Sequence, residues 1–207
     1  MRHAVLAAVV ALTLAGCEPA PPYEATVHPV AAADVPSSWR PGCPVGPEDL
    51  RLVRLTHWGF DGKVHRGELV VHADAASAVV EAFRAAHAAR FPIERMERVD
   101  VHGGDDGRSM AANNTSAFNC RRVAGTTRWS EHAYGRAVDV NPVQNPYVRG
   151  RTVDPPAGSA YTNRDDRRAG MLHADSALVR SFESQGWGWG GRWRSAKDYQ
   201  HLSATGR

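Results

Sequence analysis

The sequence predicts one domain that mixes β-strands with α-helices, and three observations lead to this prediction. The 207 residues, 43% of them hydrophobic, are enough for a single domain with a sizeable core and tails. The dipeptide Asp61-Gly62 separates two apolar stretches, 50–60 and 68–72, which is a strong hairpin signal. Apolar residues then recur at helical spacing after Asp74 and again over 172–185.

The other elements follow in chain order. The first helix is expected to begin with Asp74 as its N-cap and to end by Phe91, because the proline that comes next disfavours helical conformation in the residue before it. A strand is expected over 93–101 and a polar loop, lying over a functional site, over 103–114. The second helix should span 172–185.

The N-terminus has the features of a processing signal. A short positive start precedes an apolar run, 4–14, that is too short to span a bilayer permanently. The run ends in Leu-Ala-Gly-Cys17, which resembles the lipobox of bacterial lipoproteins, although a plain secretory signal that happens to end in cysteine is the alternative. We therefore expect a signal peptide over 1–16, acylation of Cys17, a Pro/Ala-rich tether over 17–42 and a folded domain over 43–207.

The charge balance argues against a nucleic-acid-binding protein, and the cysteine content favours a disulfide. The 25 basic residues nearly balance the 22 acidic ones, so the chain does not have the basic surface of a nucleic-acid-binding protein. Outside the cytoplasm, the remaining pair Cys43 and Cys120 favours a disulfide over two buried free thiols. Closing so long a loop would stabilise the fold by on the order of 4 kcal/mol.

The segment 130–141, SEHAYGRAVDVN, contains two candidate metal ligands. His132 and Asp139 lie seven residues apart, which suits a loop that closes back on a strand better than one face of a helix. The end of the segment alternates, so Val138 and Val140 should face the core while Asp139 faces a cavity.

A second group, DYQH, supplies Asp198 and His201 near the C-terminus. Two histidines and one aspartate are three ligands of the type that binds zinc, and Asp198 is then left over as a base. A hydrolytic site also needs a positive group for the developing oxyanion, and Arg121 or Arg122 could provide it. The chain has ten histidines, so spacing alone leaves other ligand sets open.

Several motifs in the same order resemble the M15 family of zinc peptidases. This family includes D-Ala-D-Ala carboxypeptidases and dipeptidases and L-alanyl-D-glutamate endopeptidases of phages and bacteria. The motifs are Ser130-x-His132-x-x-Gly135-x-Ala137-x-Asp139, WGWGG at 187–191 and Asp198-x-x-His201, with GFDG at 59–62, FPI at 91–93, SAFNCR at 116–121 and NPxQNPY at 141–147. Together they cover about 50–201.

The resemblance implies an α+β fold, in which a small antiparallel sheet is flanked by helices in a single domain of the hedgehog and DD-peptidase type. It also implies a site that holds one zinc ion. The implied roles are zinc ligand for His132, Asp139 and His201, catalytic acid/base for Asp198, polarisation of the scissile carbonyl for Arg121, and support of the site or contact with substrate for Ser130.

The sequence departs from the family pattern at two positions. The acid/base is an aspartate, Asp198, where the dipeptidase branch has glutamate, which indicates a different subfamily. Leu202 and Ser203 follow His201 where many relatives have Phe-Glu. Another group, such as a backbone carbonyl, would then have to hold the His201 ring.

These observations lead to one functional hypothesis and its alternatives. The hypothesis is a monomeric zinc peptidase, anchored outside the cytoplasmic membrane through Cys17, that cuts the peptidoglycan stem peptide as a D-alanyl-D-alanine carboxypeptidase does. The alternatives are an L-alanyl-D-glutamate endopeptidase and a non-catalytic zinc-binding scaffold lipoprotein. A purely structural zinc is a weaker alternative, because such sites are usually closed and rich in cysteine.

Overall fold

The computed structural model describes residues 21–207. The expected signal peptide, Cys17 and the first part of the expected tether lie outside these residues. The strands are β1 (Ala25–Pro29), β2 (Leu50–Trp58), β3 (Val64–His72), β4 (Arg95–Met96), β5 (Asn114–Thr115), β6 (Ala137–Asp139), β7 (Tyr147–Arg149), β8 (Thr152–Asp154), β9 (Gly188–Trp189), β10 (Lys197–Asp198) and β11 (His201–Ser203). The helices are α1 (Ala76–Ala88), α2 (Asp106–Ala111) and α3 (Ala177–Ser184).

The largest sheet is antiparallel, with the strand order β1-β2-β3. Its centre is the hairpin predicted from the sequence, in which β2 and β3 pair from Leu50 with His72 to Trp58 with Val64 around the Asp-Gly turn. The inner face of the hairpin carries fully buried side chains such as Val53 and Val71. The hairpin prediction is confirmed.

The expected tether is wrong from β1 onward. Strand β1 pairs with β2 along its whole length, and the segment that follows buries Val35 completely. The Asp100 carboxylate also accepts hydrogen bonds from the backbone of Ser37 and from both the backbone and the hydroxyl of Ser38. An edge strand is held by backbone pairing and tolerates proline, so its Pro/Ala-rich sequence did not reveal it. The folded region therefore begins before residue 43.

Helices α1 and α3 pack against each other, and α1 also packs on β2. The buried residues of α1 recur at helical spacing, as predicted, and the helix ends three residues before Phe91. Helix α3 begins at Ala177, later than the predicted 172. The backbone N–H of Leu172 instead donates to the Asn145 side chain, 2.7 Å away. The residues between Leu172 and the helix form a turn, in which the backbone N–H of His173 donates to Ser176 Oγ and that of Ser176 donates to the His173 carbonyl.

The structure differs in detail from two further predicted elements. The strand expected over 93–101 is reduced to β4, which pairs in parallel with β5, and is followed by a 3₁₀ turn at Val99–His102. The polar loop over 103–114 contains α2, and the loop after β6 contains the β7–β8 hairpin. Such short elements depend on partners that are distant in sequence, so local patterns do not predict them.

The predicted disulfide between Cys43 and Cys120 is present. Cys120 is fully buried in a small apolar cluster that also includes Val35, Leu50 and Phe118. The small antiparallel sheets and few helices form a single domain, which confirms the α+β class. Within residues 21–207, no helix is long and apolar enough to cross a membrane.

Candidate metal centre

Two of the predicted ligands meet because their strands pair. Strands β6 and β11 are antiparallel, and Asp139 lies directly opposite His201 in the register. Residues that face each other in this way carry neighbouring side chains on one face of the sheet. Val138 and Val140 on the other face are fully buried in the core. The predicted alternation of this segment is confirmed.

The third predicted ligand lies on a short 3₁₀ turn, Glu131–Tyr134. Ser130 is the N-cap of this turn, and its hydroxyl accepts a hydrogen bond from the backbone N–H of His132. Gly135 ends the turn at φ +66°, where a Cβ would lie 2.5 Å from the backbone nitrogen of His72. A glycine is therefore required between the two ligand-bearing elements. Ser130 is buried and supports the site through this cap.

The donor atoms of the three side chains converge. His132 Nε2 lies 3.1 Å from Asp139 Oδ2, and His201 Nδ1 lies 3.0 Å from Asp139 Oδ1. The two imidazole nitrogens are 3.3 Å apart. The three residues are between 2% and 6% exposed, so the group is buried.

Backbone oxygens orient both imidazole rings. His132 Nδ1 is 2.5 Å from the carbonyl oxygen of Ala117, and His201 Nε2 is 3.0 Å from the backbone oxygen of Arg207. An oxygen acceptor requires a proton on the ring nitrogen that faces it, so in the neutral rings the lone pairs of His132 Nε2 and His201 Nδ1 point at each other. The Arg207 oxygen, which also accepts from Ser203 Oγ, is the backbone support expected for His201.

This arrangement fits a metal cation. Three inward-facing acceptors repel one another unless a proton or a cation lies between them. Tetrahedral zinc, with ligands at about 2.0–2.1 Å, places its donor atoms about 3.3 Å apart, which matches the spacing observed here.

The electrostatics show the same need for positive charge. Burial would raise the pKa of Asp139, but the two imidazoles hold that pKa far below its usual range. Burial would lower the pKa of His201, but the hydrogen bond and charge of Asp139 raise it to about 9. A buried carboxylate thus retains its charge only beside a positive partner, which a bound metal ion would supply.

Asp198 lies beside this group, on β10 opposite Tyr147 of β7. Its Oδ1 is inaccessible to solvent and has no hydrogen-bond partner among the described residues. Burial raises the pKa of Asp198 to about 7, with His201 lowering it and Asp139 raising it in smaller measure. A carboxyl group of this kind can exchange a proton near neutral pH.

The structure separates the two arginine candidates. The Arg121 guanidinium is close enough for its charge to lower the pKa of Asp198, and it pairs with Asp106. The Arg122 guanidinium instead lies 3.8 Å from the centre of the Trp129 ring. Of the two candidates, Arg121 is therefore the one whose charge is felt at Asp198.

Other residues around the site were not predicted from the sequence. Asp106 forms an ion pair with Arg121, and the ring of Trp193 lies 5.7 Å from that of His201. A Cβ at Gly190 would lie 2.5 Å from the backbone oxygen of Asp198, so the glycine-rich stretch passes directly against this segment. Its Trp/Gly composition was the one local signal that this stretch packs against or borders the site.

Comparison with known proteins links the segment that carries the His–Asp–His group to a peptidase family. A family model described as D-alanyl-D-alanine carboxypeptidase, from peptidase family M15, matches residues 124–204, which contain the three converging side chains and Asp198. Comparisons with curated proteins and with solved structures gave no match. The matched segment, with the buried His–Asp–His group within it, is therefore similar to peptidase family M15.

Proposed function

We propose that the protein is a zinc-dependent peptidase that hydrolyses the peptidoglycan stem peptide, with the specificity of a D-alanyl-D-alanine carboxypeptidase. The observation that carries this proposal is the convergence of three inward-facing donor atoms beside the unpartnered carboxylate oxygen of Asp198. The description of the matching family supports the carboxypeptidase assignment.

His132, Asp139 and His201 would hold the metal ion. Two imidazoles and one carboxylate leave a fourth position open, as in catalytic zinc sites, and neither cysteine within residues 21–207 takes part. Zinc held there would polarise the scissile carbonyl and activate a water molecule for attack.

Two side chains of the protein would transfer the proton and stabilise the developing negative charge. Asp198 Oδ1 accepts the proton of the attacking water and passes it to the nitrogen of the leaving group. The Arg121 guanidinium stabilises the negative charge that develops on the carbonyl oxygen. Because Asp198 Oδ1 has no competing hydrogen bond among the described residues, this oxygen is available for the proton.

The family and the disulfide agree with a location outside the cytoplasm. We further propose that Cys17 is acylated and anchors the domain to the membrane. Since Tyr23 already hydrogen-bonds to Val80 of the folded domain, only the residues between positions 17 and 23 can separate the domain from the anchor. Fully extended, they span at most about 20 Å, so the domain would work close to the membrane surface.

The test is the variant Asp198→Asn, which keeps the shape of the side chain and removes its basicity. Purified protein should bind one equivalent of zinc, as the wild type does, and hydrolyse stem peptides at least about 100-fold more slowly. Asp165→Asn, which removes an exposed carboxylate outside the His–Asp–His group, is the matched control and should be as active as the wild type.

Two outcomes would contradict the proposal. Wild-type rates in Asp198→Asn would remove the proposed acid/base. One bound zinc without cleavage of any stem peptide by the wild type would indicate the non-catalytic scaffold. Product analysis by mass spectrometry distinguishes loss of the terminal D-alanine from cleavage between L-alanine and D-glutamate.

A further inference from the structure

We propose that Asp106 is a positioning residue that holds the Arg121 guanidinium in its place at the metal centre. The inference rests on the proposed function for the role of Arg121. The ion pair itself is a property of the fold, and it can be tested without any measurement of activity.

The contact between the two side chains is short and partly buried. Arg121 Nη2 lies 2.9 Å from Asp106 Oδ2, and the side chains are only 29% and 27% exposed. An ion pair that is partly shielded from water restrains a long side chain better than a fully exposed ion pair does.

Arg121 needs such support because the fold otherwise holds only its backbone. Its carbonyl accepts a hydrogen bond from Ser130, and its neighbour Cys120 is in the disulfide. The guanidinium lies at the end of a flexible stem, and among the described residues Asp106 is the only carboxylate within ion-pair distance of it. Arg121 Nε is buried without a hydrogen-bond partner. One guanidinium nitrogen thus lies against the Asp106 carboxylate, while the neighbouring Nε has no partner among the described residues.

Asp106 is itself well placed to act as this support. It is the first residue of α2, whose N-cap Asp105 accepts a hydrogen bond from Arg108, 2.9 Å away. Met110 of the same helix contacts the side chain of Gln200, between Asp198 and His201. Helix α2 therefore links the segment that carries Arg121 to the segment that carries the proposed acid/base.

The adjacent acids provide a matched pair of variants. Asp106→Ala removes the partner of Arg121, and Asp105→Ser removes the same charge one residue earlier while keeping an N-cap side chain. Both substitutions leave the His–Asp–His group untouched. Alanine is well tolerated in a helix, so Asp106→Ala should fold.

The first measurement is hydrogen exchange of the Arg121 side chain by ¹⁵N NMR in the full-length, zinc-loaded protein, with the signal assigned through Arg121→Lys. In Asp106→Ala the guanidinium protons should exchange at least tenfold faster than in the wild type, whereas Asp105→Ser should leave them unchanged. Equal protection in Asp106→Ala, or equal loss in both variants, overturns the proposal. Should Asp106→Ala not fold, Asp106→Asn is measured instead, with the same direction expected.

The second measurement is the kinetics of stem-peptide hydrolysis. Asp106→Ala should lower kcat about tenfold with little change in KM, because Arg121 acts on charge that develops in the transition state. In an Arg121→Gln background, Asp106→Ala should have no further effect. A full additional loss there overturns the proposal. If the wild type itself does not cleave, the proposed function fails, and the exchange measurement alone still decides the positioning role.

Discussion

The disulfide between Cys43 and Cys120 allows a quantitative prediction about stability. We consider the double variant Cys43→Ala/Cys120→Ala, which removes the bond without burying a hydroxyl group at the fully buried position 120. The bond closes a loop across 77 residues of sequence separation, which contains the β2–β3 hairpin and α1. Its loss releases this loop in the unfolded state.

The expected loss in the free energy of unfolding follows from the length of the loop. The chain-entropy relation gives about 4.5 kcal/mol for a loop of this size at 25 °C. For a domain of this length, each kcal/mol corresponds to roughly 2–4 °C in Tm, so Tm should fall by roughly 9–18 °C. The denaturant slope m should rise, because the unfolded chain becomes less compact.

The assay is equilibrium unfolding in guanidinium chloride, followed by the fluorescence of the six tryptophans. Wild-type protein reduced by a thiol is the control and should unfold at the same denaturant concentration as the double variant. A loss of less than about 1 kcal/mol in the double variant would refute the reasoning, since it would mean that the unfolded loop is already compact.

Three further predictions concern the centre and its surroundings. Gly135→Ala should destabilise the fold by more than about 2 kcal/mol in denaturant unfolding and weaken zinc binding, because the residue has a left-handed φ and the new Cβ would collide with the backbone of His72. Zinc affinity, titrated against a chelator, should rise about tenfold per pH unit up to about pH 9 and then level off, because the pKa of His201 is raised to about 9 and its proton must leave; an affinity independent of pH would contradict this. Arg164→Ala should lower the free energy of unfolding by at least about 3 kcal/mol, because its guanidinium donates to three backbone carbonyls and one side-chain amide; a loss below 1 kcal/mol would be inconsistent with those contacts.

The elements that could be predicted from the sequence are those that local patterns determine. The alternation around Asp139, the Asp-Gly turn of the first hairpin and the apolar period of α1 all depend on neighbours within a few residues. The ligand set required a comparison of distant motifs, because Asp139 and His201 are 62 residues apart and meet only through strand pairing.

The features that could not be predicted depend on contacts without a local pattern. Strand β1 is held by backbone pairing, and the His201 ring is held by the backbone oxygen of Arg207, which any residue could provide. The pairing of Asp106 with Arg121 is one choice among many acids and arginines in the sequence. Tertiary structure decides each of these contacts, so sequence spacing could not identify them.

The central claim is that the buried His–Asp–His group holds a zinc ion that makes this protein a stem-peptide peptidase. The most direct test is digestion of purified muropeptides by one preparation of the full-length protein in three states: as purified, stripped by a chelator, and reloaded with one equivalent of zinc. Mass spectrometry should show loss of the terminal D-alanine in the first state, no cleavage in the second and recovery in the third. Equal cleavage by the stripped protein, or no cleavage by protein that holds one zinc per chain, would contradict the claim.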